Sequence, residues 1–393
     1  MTVVEILLSI LILVLLIPVL VLFKQVLLAA LVKVKSTQLT AKRPSIAVIV
    51  PAHNEHLLIQ STIASVLPQL TAQDRIIVVA DNCTDDTAKI AREAGAEAIE
   101  RFNQDARGKG YALDFGVRHC TNQPPEVIII IDADCQVGEG ALNKLAIACV
   151  QYDRPIQALY LMKSPAGAGL KTKIAEFAWL VKNLVRPSGY AVLGLPCQLM
   201  GTGMAFTWQS ISQANLASGH IVEDLKLGID YCLAEKPPLF LPEALVTSEF
   251  PTSTEGLSGQ RTRWEHGHLG VIFSEAPSLF VQAISKGNTG LLALAFDLIV
   301  PPLALLMLLM VTVFVVAGLF YAVTDLVMPL CLALAGLVLL GSAVLLAWAV
   351  FGRKVISLAS LCYAPIYALM KIPVYLNFLI KRQVSWVRAK RDD

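Results

Sequence analysis

The sequence predicts an α/β domain on a mostly parallel sheet, with apolar membrane segments before and after it. Three short, β-branched runs predict strands, and helix-like segments lie between them. Continuous apolar strands that alternate with helices are typical of a parallel sheet with both faces buried. Ligands bind such sheets at the carboxyl ends of the strands. The predicted strands are 45–51, 75–81 and 126–134, and the predicted helices lie near 55–67, 84–94 and 107–119.

The composition indicates a membrane protein. Hydrophobic residues make up 55% of the 393 residues, and charged residues make up only 16%, below the quarter that is usual in soluble domains. Residues 4–23, 299–322 and 326–351 are each long and apolar enough to cross a hydrocarbon core of ~30 Å. The net charge of +2 gives no support for a nucleic-acid partner, so the lipid bilayer is the expected large partner.

The basic residues predict an orientation. Lys33, Lys35, Lys42 and Arg43 follow the first apolar segment, which places the next domain on the cytosolic side of a multi-pass plasma-membrane protein. Segment 355–380 lies between two basic clusters, so an interfacial or re-entrant helix satisfies the charge rule better than a single crossing. The predicted domains are 1–44 (membrane helix and basic linker), 45–290 (cytosolic domain) and 291–393 (membrane hairpin, interfacial segment and basic tail).

Two aspartates follow the third predicted strand. Side chains alternate along an extended chain, so Asp132 and Asp134 are expected to point the same way. Two aligned carboxylates repel each other unless a cation lies between them, and hard oxygen ligands suit Mg²⁺ or Mn²⁺. The alternative is that one aspartate caps the next helix while the other is solvated.

Two more polar stretches are expected near the same edge of the sheet. In "DNCTDDT" (81–87), a residue among 84–86 caps the next helix, which leaves Asp81 free to bind a base or sugar. In "RGKGYAL", the glycines around Lys109 allow a ligand to approach the backbone, although the spacing matches neither a P-loop nor a dinucleotide fingerprint. The alternative for Lys109 is a solvated basic helix start.

Later in the chain, "VED" and "QRTRWEHGH" carry further candidates. Asp224 is a candidate base, and its alternative role is to complement the helix dipole. If 258–270 is helical, Gln260, Arg263 and Trp264 share one face, because they lie at i, i+3 and i+4. An amide, a guanidinium and a flat ring together suit a sugar diphosphate. A membrane-interface belt would explain Trp264 alone.

In their order and spacing, these stretches resemble the family 2 glycosyltransferases. They are "PAHNE" (51–55), "DNCTDDT", "DAD" (132–134), "VED" (222–224) and Q-x-x-R-W, and the likeness covers roughly residues 45–270. The likeness is closest to the membrane-embedded branch with cellulose, hyaluronan, chitin and poly-N-acetylglucosamine synthases and ceramide glucosyltransferases. It implies a GT-A-type nucleotide-sugar-binding domain inserted between membrane helices, which transfers a sugar from a UDP-sugar donor with inversion.

For the donor, the resemblance implies a nucleotide pocket shaped by Glu55 and Asp81. Asp132 lies on the nucleotide, and with Asp134 it holds Mg²⁺ or Mn²⁺ on the diphosphate. Lys109 is added to the donor site on the basis of its charge and position, not of the resemblance.

For the acceptor, the resemblance implies Asp224 as the general base. Gln260 and Arg263 bind the diphosphate, and Trp264 stacks at the acceptor end. The loop Gly201, Thr202 and Gly203 is expected to lie beneath the acceptor.

The acceptor itself has two interpretations. A growing polysaccharide is expected first, and a single sugar transferred to a lipid at the cytosolic leaflet is the alternative. A catalytically silent membrane subunit is a third hypothesis, which the complete carboxylate set opposes. The chain has fewer clear spans than the polymer synthases, so a homo-oligomer or an accessory export subunit is an expected partner.

Overall fold

A computed structural model describes residues 3–34, 37–252 and 254–380, so Lys35 and the basic tail lie outside the described residues. These residues form two compact units. The sheet unit comprises residues 37–166 and 195–267, and the helical unit comprises residues 3–34, 167–194 and 268–380.

The sheet unit contains one eight-stranded mixed sheet, in the order β3-β2-β1-β4-β7-β6-β8-β5. Strands β1 to β4 pair in parallel, as do β6 and β8, whereas β7 and β5 run antiparallel to their neighbours. The predicted α/β fold with a mostly parallel sheet is therefore confirmed. The strands are β1 (Ile46–Ala52), β2 (Arg75–Asp81), β3 (Glu97–Arg101), β4 (Val127–Ile130), β5 (Gln136–Val137), β6 (Ile156–Lys163), β7 (Met204–Thr207) and β8 (Leu239–Glu249).

The three predicted strands are central because their side chains are buried on both faces. Ile49, Ile77 and Ile128 of β1, β2 and β4 are fully buried together with Phe206 of β7. Burial of each such side chain contributes about 1.5–3 kcal/mol relative to exposure. The parallel register brings the ends of β1, β2 and β4 to one edge of the sheet, where the predicted site residues follow.

The helices of the sheet unit follow the predicted order. They are α2 (Ile59–Val66), α3 (Thr87–Glu93), α4 (Lys109–His119), α5 (Ala141–Tyr152), α8 (Trp208–Ile211), α9 (Glu223–Leu233) and α10 (Thr254–Ser274), which ends in the helical unit. Helices α2, α3 and α4 correspond to the three helices expected between the predicted strands, although each begins a few residues later than expected.

The helical unit has its own apolar core. Ile12, Leu22, Phe177, Met310 and Leu340 are buried there together. Its helices are α1 (Val3–Leu31), α6 (Leu170–Leu180), α7 (Arg186–Ala191), α11 (Ala276–Ser285), α12 (Thr289–Leu298), α13 (Leu303–Thr324), α14 (Met328–Ala347), α15 (Leu358–Leu361), α16 (Ala364–Leu369) and α17 (Ile372–Ile380).

Four helical segments of this unit are long and apolar enough to cross a membrane, and they indicate membrane association. Val3–Leu31, Leu303–Thr324 and Met328–Gly352 correspond to the three predicted spans. The fourth, Leu358–Ile380, also satisfies length and composition, but it is divided into three short helices. Its interfacial or re-entrant placement stays a prediction, as does the cytosolic orientation of the sheet unit.

The division into units differs from the predicted boundaries, because residues 167–194 and 268–290 belong to the helical unit. A buried polar cluster links three of its helices. The Nε2 group of Gln25 and the NH2 group of Arg186 donate to Oδ1 of Asp297, at 2.6 Å and 2.8 Å. Helix α7 carries charge and lacks the length of a span, so its sequence resembles that of a soluble helix.

Candidate functional site

The first two predicted motifs hold each other in place at the edge of the sheet. The Nδ1 atom of His53 lies 2.7 Å from the carbonyl oxygen of Asp81. The side chain of Asn54 accepts from the backbone N–H of Thr84 at 2.7 Å. The backbone N–H of Glu55 donates to Oγ1 of Thr87 at 2.8 Å. The half-buried Glu55 is thereby placed beside the end of β2.

The N-cap position of α3 is Asp86, whose side chain makes no capping hydrogen bond, and the first residue of the helix is bound instead by the preceding Asp85. Its Oδ1 atom accepts from the backbone N–H of Thr87 at 3.0 Å, and its other oxygen lies 2.8 Å from Nδ1 of His56. Burial would raise the pKa of Asp85, but the hydrogen bonds from Thr87 and His56 bring it below its ordinary value.

The prediction that Asp81 is free was wrong. Its Oδ1 atom accepts from NH1 of Arg101 at 2.6 Å and from Nδ2 of Asn82 at 3.0 Å, and the residue is buried. Arg101 ends β3, a strand that the sequence did not predict because it lacks a continuous apolar run. A carboxylate with several lone pairs accepts further hydrogen bonds, so the nucleotide role of Asp81 stays a prediction.

The two metal-site candidates lie just beyond the strand that was expected to carry them. Strand β4 ends at Ile130, and Asp134 lies in a turn, so the argument from side-chain alternation does not apply. Neither aspartate caps α5, which begins at Ala141. The backbone N–H of Asp132 instead donates to Oγ1 of Thr202 at 3.0 Å. Burial raises the pKa of Asp132, with Asp134 adding to this rise and Lys109 opposing it.

Lys109 connects three parts of this site. Its Nζ atom contacts the carboxylate of Asp132, donates to the carbonyl oxygen of Gly201 at 2.7 Å and lies 3.8 Å from Oε1 of Glu223. Burial would lower the pKa of Lys109, but the surrounding carboxylates raise it above its ordinary value. The solvated helix start considered for Lys109 is therefore wrong.

The glycine after Lys109 serves the packing of the chain rather than a ligand. A Cβ atom at Gly110 would lie 2.5 Å from the carbonyl oxygen of Leu216 and 2.6 Å from that of Ser218. The expected ligand approach at this position is thus replaced by a close approach of two backbone segments. Helix α4 begins at Lys109 and holds the ammonium group in the site.

The predicted acceptor loop lies between Lys109 and the candidate base. Gly201 has a φ of +87°, and a Cβ atom there would lie 3.3 Å from Oδ2 of Asp224 and 3.5 Å from Nζ of Lys109. A Cβ atom at Gly203 would lie 2.6 Å from Cβ of Ala158, so this glycine allows close packing. Gly201, Thr202 and Gly203 are all buried, and their contact with an acceptor stays a prediction.

Asp224 lies in the first turn of α9, directly after Glu223. Burial raises the pKa of Glu223 to about 7, and Asp224 adds to this rise while Lys109 opposes it. The position favours interaction with the helix dipole, as the alternative interpretation stated. The proximity of Asp224 to Gly201 shows that it also faces the loop.

Helix α10 carries the last predicted motif, so the condition under which Gln260, Arg263 and Trp264 share one helix face is met. Gln260 is buried, and its Oε1 atom has no hydrogen-bond partner among the described residues. Arg263 and Trp264 are half-buried. A Cβ atom at Gly267 would lie 2.5 Å from Cγ1 of Val222, so α10 packs against the residues that precede Asp224.

The two histidines of this motif are buried. Nε2 of His268 lies 3.1 Å from the carbonyl oxygen of Leu298, a contact within the helical unit. Burial lowers the pKa of His268 to about 3, and the charges of Lys182 and Arg186 contribute to this shift. His268 is therefore neutral and acts in packing.

Sequence reasoning missed three residues of this site. Arg101 pairs with Asp81, Glu223 lies beside Lys109, and Gly267 allows α10 to approach the residues that precede α9. Glu223 was detectable, because two consecutive carboxylates open α9. The other two depend on tertiary contacts.

The parallel strands and the carboxylates at their edge define a GT-A-type domain. The same fold is present in the mannosyltransferase PcManGT from Pyrobaculum calidifontis, whose structure contains GDP-Man and Mn²⁺. The two structures agree with a TM-score of 0.56 at 15% identity, over 96% of this chain and 100% of that one.

Two family models match the chain. "Glycosyl transferase family group 2" matches residues 127–370, and "Glycosyl transferase family 2" matches residues 47–156. The chain belongs to glycosyl transferase family group 2.

Curated relatives are similar over part of their length. Glucomannan 4-beta-mannosyltransferase 7 from Arabidopsis thaliana is 26% identical over 248 residues, which are 58% of this chain and 43% of that protein. The 4,4'-diaponeurosporenoate glycosyltransferase of Staphylococcus aureus (strain bovine RF122 / ET3-1) is 36% identical over 107 residues, or 26% of this chain and 27% of that protein. The chain therefore spans less than half of either relative.

Proposed function

We propose that this chain is an inverting membrane glycosyltransferase that moves a sugar from a UDP-sugar to a growing polysaccharide. We assign it to the membrane-embedded, Q-x-x-R-W branch of family 2. One observation carries the proposal: Asp224 and Lys109 flank the same position at Gly201, next to Asp132. A base and a diphosphate-binding edge must lie this close together for an acceptor hydroxyl to reach the anomeric carbon.

A divalent cation fits the residues at this edge. Asp132 and Asp134 supply hard oxygen ligands at the end of β4. Among the described residues, no three His, Cys, Asp or Glu side chains form a complete metal cluster. Mg²⁺ and Mn²⁺ sites that use one or two carboxylates complete their ligand shell with phosphate oxygens. When bound, the cation would neutralise charge on the leaving diphosphate.

The remaining donor contacts come from strand ends and from α10. Glu55 and Asp81 shape the nucleotide pocket, and the ion pair with Arg101 fixes the carboxylate of Asp81. Gln260 and Arg263 bind the diphosphate. The buried Oε1 of Gln260, which has no described partner, supports a role for this side chain in binding.

Asp224 takes the proton of the acceptor hydroxyl. The hydroxyl oxygen forms a bond to the anomeric carbon while the bond to the diphosphate breaks, and the diphosphate leaves with the electron pair. Attack on the face opposite the leaving group inverts the configuration. Trp264 stacks on the acceptor sugar, and the Gly201–Gly203 loop lies beneath it.

Two acceptors have support. A relative named as a glucomannan mannosyltransferase favours a polysaccharide. A relative named for 4,4'-diaponeurosporenoate favours the second candidate, transfer of one sugar to a membrane-soluble acceptor. The four apolar segments of the helical unit suit either acceptor, because both products begin at the bilayer.

One experiment tests the function and separates the acceptors. The purified full chain is incubated in membranes with a panel of labelled UDP- and GDP-sugars and Mn²⁺, and the products are sized. A ladder of high-mass product with a UDP-sugar supports the proposal. A single glycolipid supports the second candidate, and no transfer from any donor contradicts both.

A further inference from the structure

Lys109 lies between two carboxylates that belong to different elements. Its Nζ atom contacts Asp132, which follows β4, and lies 3.8 Å from Oε1 of Glu223, the first residue of α9. The side chain of Lys109 is 18% exposed and that of Glu223 is 15% exposed, so water screens these charges only partly. The third contact, 2.7 Å to the carbonyl oxygen of Gly201, holds the ammonium group between the two carboxylates.

These contacts conflict with metal binding at Asp132. An ammonium group and a divalent cation on one carboxylate repel each other, and burial strengthens this repulsion. Lys109 must therefore leave Asp132 when a cation binds. Glu223 is the nearby acceptor for the ammonium group, and the hydrogen bond to Gly201 serves as the pivot of this short movement.

We propose that Glu223 is a positioning residue, which receives Lys109 when a divalent cation takes Asp132. The proposal rests on the proposed function, because it treats Asp132 as a metal ligand. The contacts of Lys109 with Asp132 and Glu223 offset the repulsion among Asp132, Glu223 and Asp224. By accepting the ammonium group, Glu223 lowers the free energy needed to move Lys109 away from Asp132. Because Lys109 then pairs with Glu223, Asp224 stays available as the base.

The proposal predicts opposite effects for the two residues. Glu223→Gln removes the site that receives Lys109, so Mn²⁺ binds about tenfold more weakly. Lys109→Gln removes the competitor, so Mn²⁺ binds about tenfold more tightly. In the double variant, loss of Glu223 changes the affinity less than about twofold relative to Lys109→Gln, because Glu223 acts through Lys109.

The measurement uses the full chain in detergent and Mn²⁺ alone, with free Mn²⁺ counted by electron paramagnetic resonance. Glu223→Asp keeps the carboxylate, so we expect it to retain most of the Mn²⁺ affinity that Glu223→Gln loses. This comparison tests the proposal even if Lys109→Gln fails to fold. Glu93→Gln, on the exposed surface of α3, is the matched control and should leave the affinity unchanged.

Three outcomes would overturn the inference. Weaker Mn²⁺ binding by Lys109→Gln shows that Lys109 does not compete with the cation. If Glu223→Gln weakens Mn²⁺ binding equally in the wild-type background and in the Lys109→Gln background, Glu223 acts through its own charge and not through Lys109. Equal weakening by Glu223→Asp and Glu223→Gln shows that the carboxylate does not receive Lys109. Failure of the metal site itself is distinguishable, because Asp134→Asn would then bind Mn²⁺ as the wild-type chain does.

Discussion

The hydroxyl oxygen of Thr202 lies 3.0 Å from the backbone nitrogen of Asp132 and accepts its hydrogen bond. Thr202 is fully buried, and its carbonyl oxygen accepts from Nε2 of Gln157 at 2.9 Å. The loop that was predicted to contact the acceptor therefore also fixes the position of a candidate metal ligand.

Thr202→Val should impair catalysis more than folding. The substitution keeps the volume but leaves the partly buried N–H of Asp132 without its acceptor, at a cost of about 1–3 kcal/mol. Displacement of Asp132 is expected to lower kcat/KM about 10–100-fold, as for other residues that orient metal ligands. Steady-state kinetics at several Mn²⁺ concentrations measure this loss. Thr202→Ser retains the hydroxyl and should stay near wild-type activity, and equal loss in both variants would contradict the assigned role.

Gly201→Ala should reduce turnover about hundredfold by displacing the base, since misplacement by about 1 Å has effects of this size. The added methyl group would lie 3.3 Å from Oδ2 of Asp224, in a backbone conformation with a φ of +87°. Gly140→Ala is the matched control, because its φ is +69° and no atom lies within 4 Å of the added methyl group. Thermal melts should report similar strain, about 1–2 kcal/mol, in both variants. Full activity of Gly201→Ala would contradict the assignment of Asp224, beside this loop, as the base.

Asp224→Asn should abolish transfer and spare donor binding. The amide cannot accept the proton, and loss of a general base costs about 10²–10⁴-fold in rate. Transfer assays measure the rate, and calorimetry with UDP measures binding. Asp230→Asn, on the same helix and 44% exposed, is expected to behave as wild type. Normal turnover by Asp224→Asn would remove it as the base.

His268 should make the protein sensitive to acid. Its pKa is about 3 in the folded chain and near 6.5 when unfolded, so the unfolded state binds the proton first as pH falls. The contribution of neutral His268 to the free energy of unfolding is therefore complete above pH ~6.5. It decreases as the pH falls toward ~3, by up to about 1.4 kcal/mol per pH unit. His268→Gln should flatten this dependence in thermal melts, whereas substitution of the exposed His220 should not. An unchanged pH slope in His268→Gln would contradict the prediction.

Gly189→Ala should destabilise the helical unit, because an added Cβ would overlap the backbone of Gln25 in α1. Forced separation of α1 and α7 would also stretch the hydrogen bonds among Gln25, Arg186 and Asp297. Overpacking of this kind costs about 1–3 kcal/mol. Thermal denaturation in detergent measures the loss, and Gly318→Ala in α13, with open space around it, is the control. Equal melting temperatures for the two variants would be inconsistent with this close contact.

The sequence by itself determined the central strands, the long apolar helices and the polar stretches that end the strands. The strands depend on local patterns, because β1 and β2 are buried on both faces and their apolar runs are therefore continuous. The order of the motifs was sufficient to indicate the family. The short turn around Asp134 was missed, because an aspartate beyond an apolar run is compatible with either strand or turn.

Only the tertiary structure decided which charged groups meet. Arg101 reaches Asp81 from a neighbouring strand, and Lys109 reaches Glu223 from another helix across more than a hundred residues of sequence. Residues 167–194 pack in the helical unit through Arg186 and Asp297, although their sequence resembles that of a soluble segment. Such pairings depend on strand register and helix packing, which bring distant residues together and leave no periodic signal in either partner's own sequence.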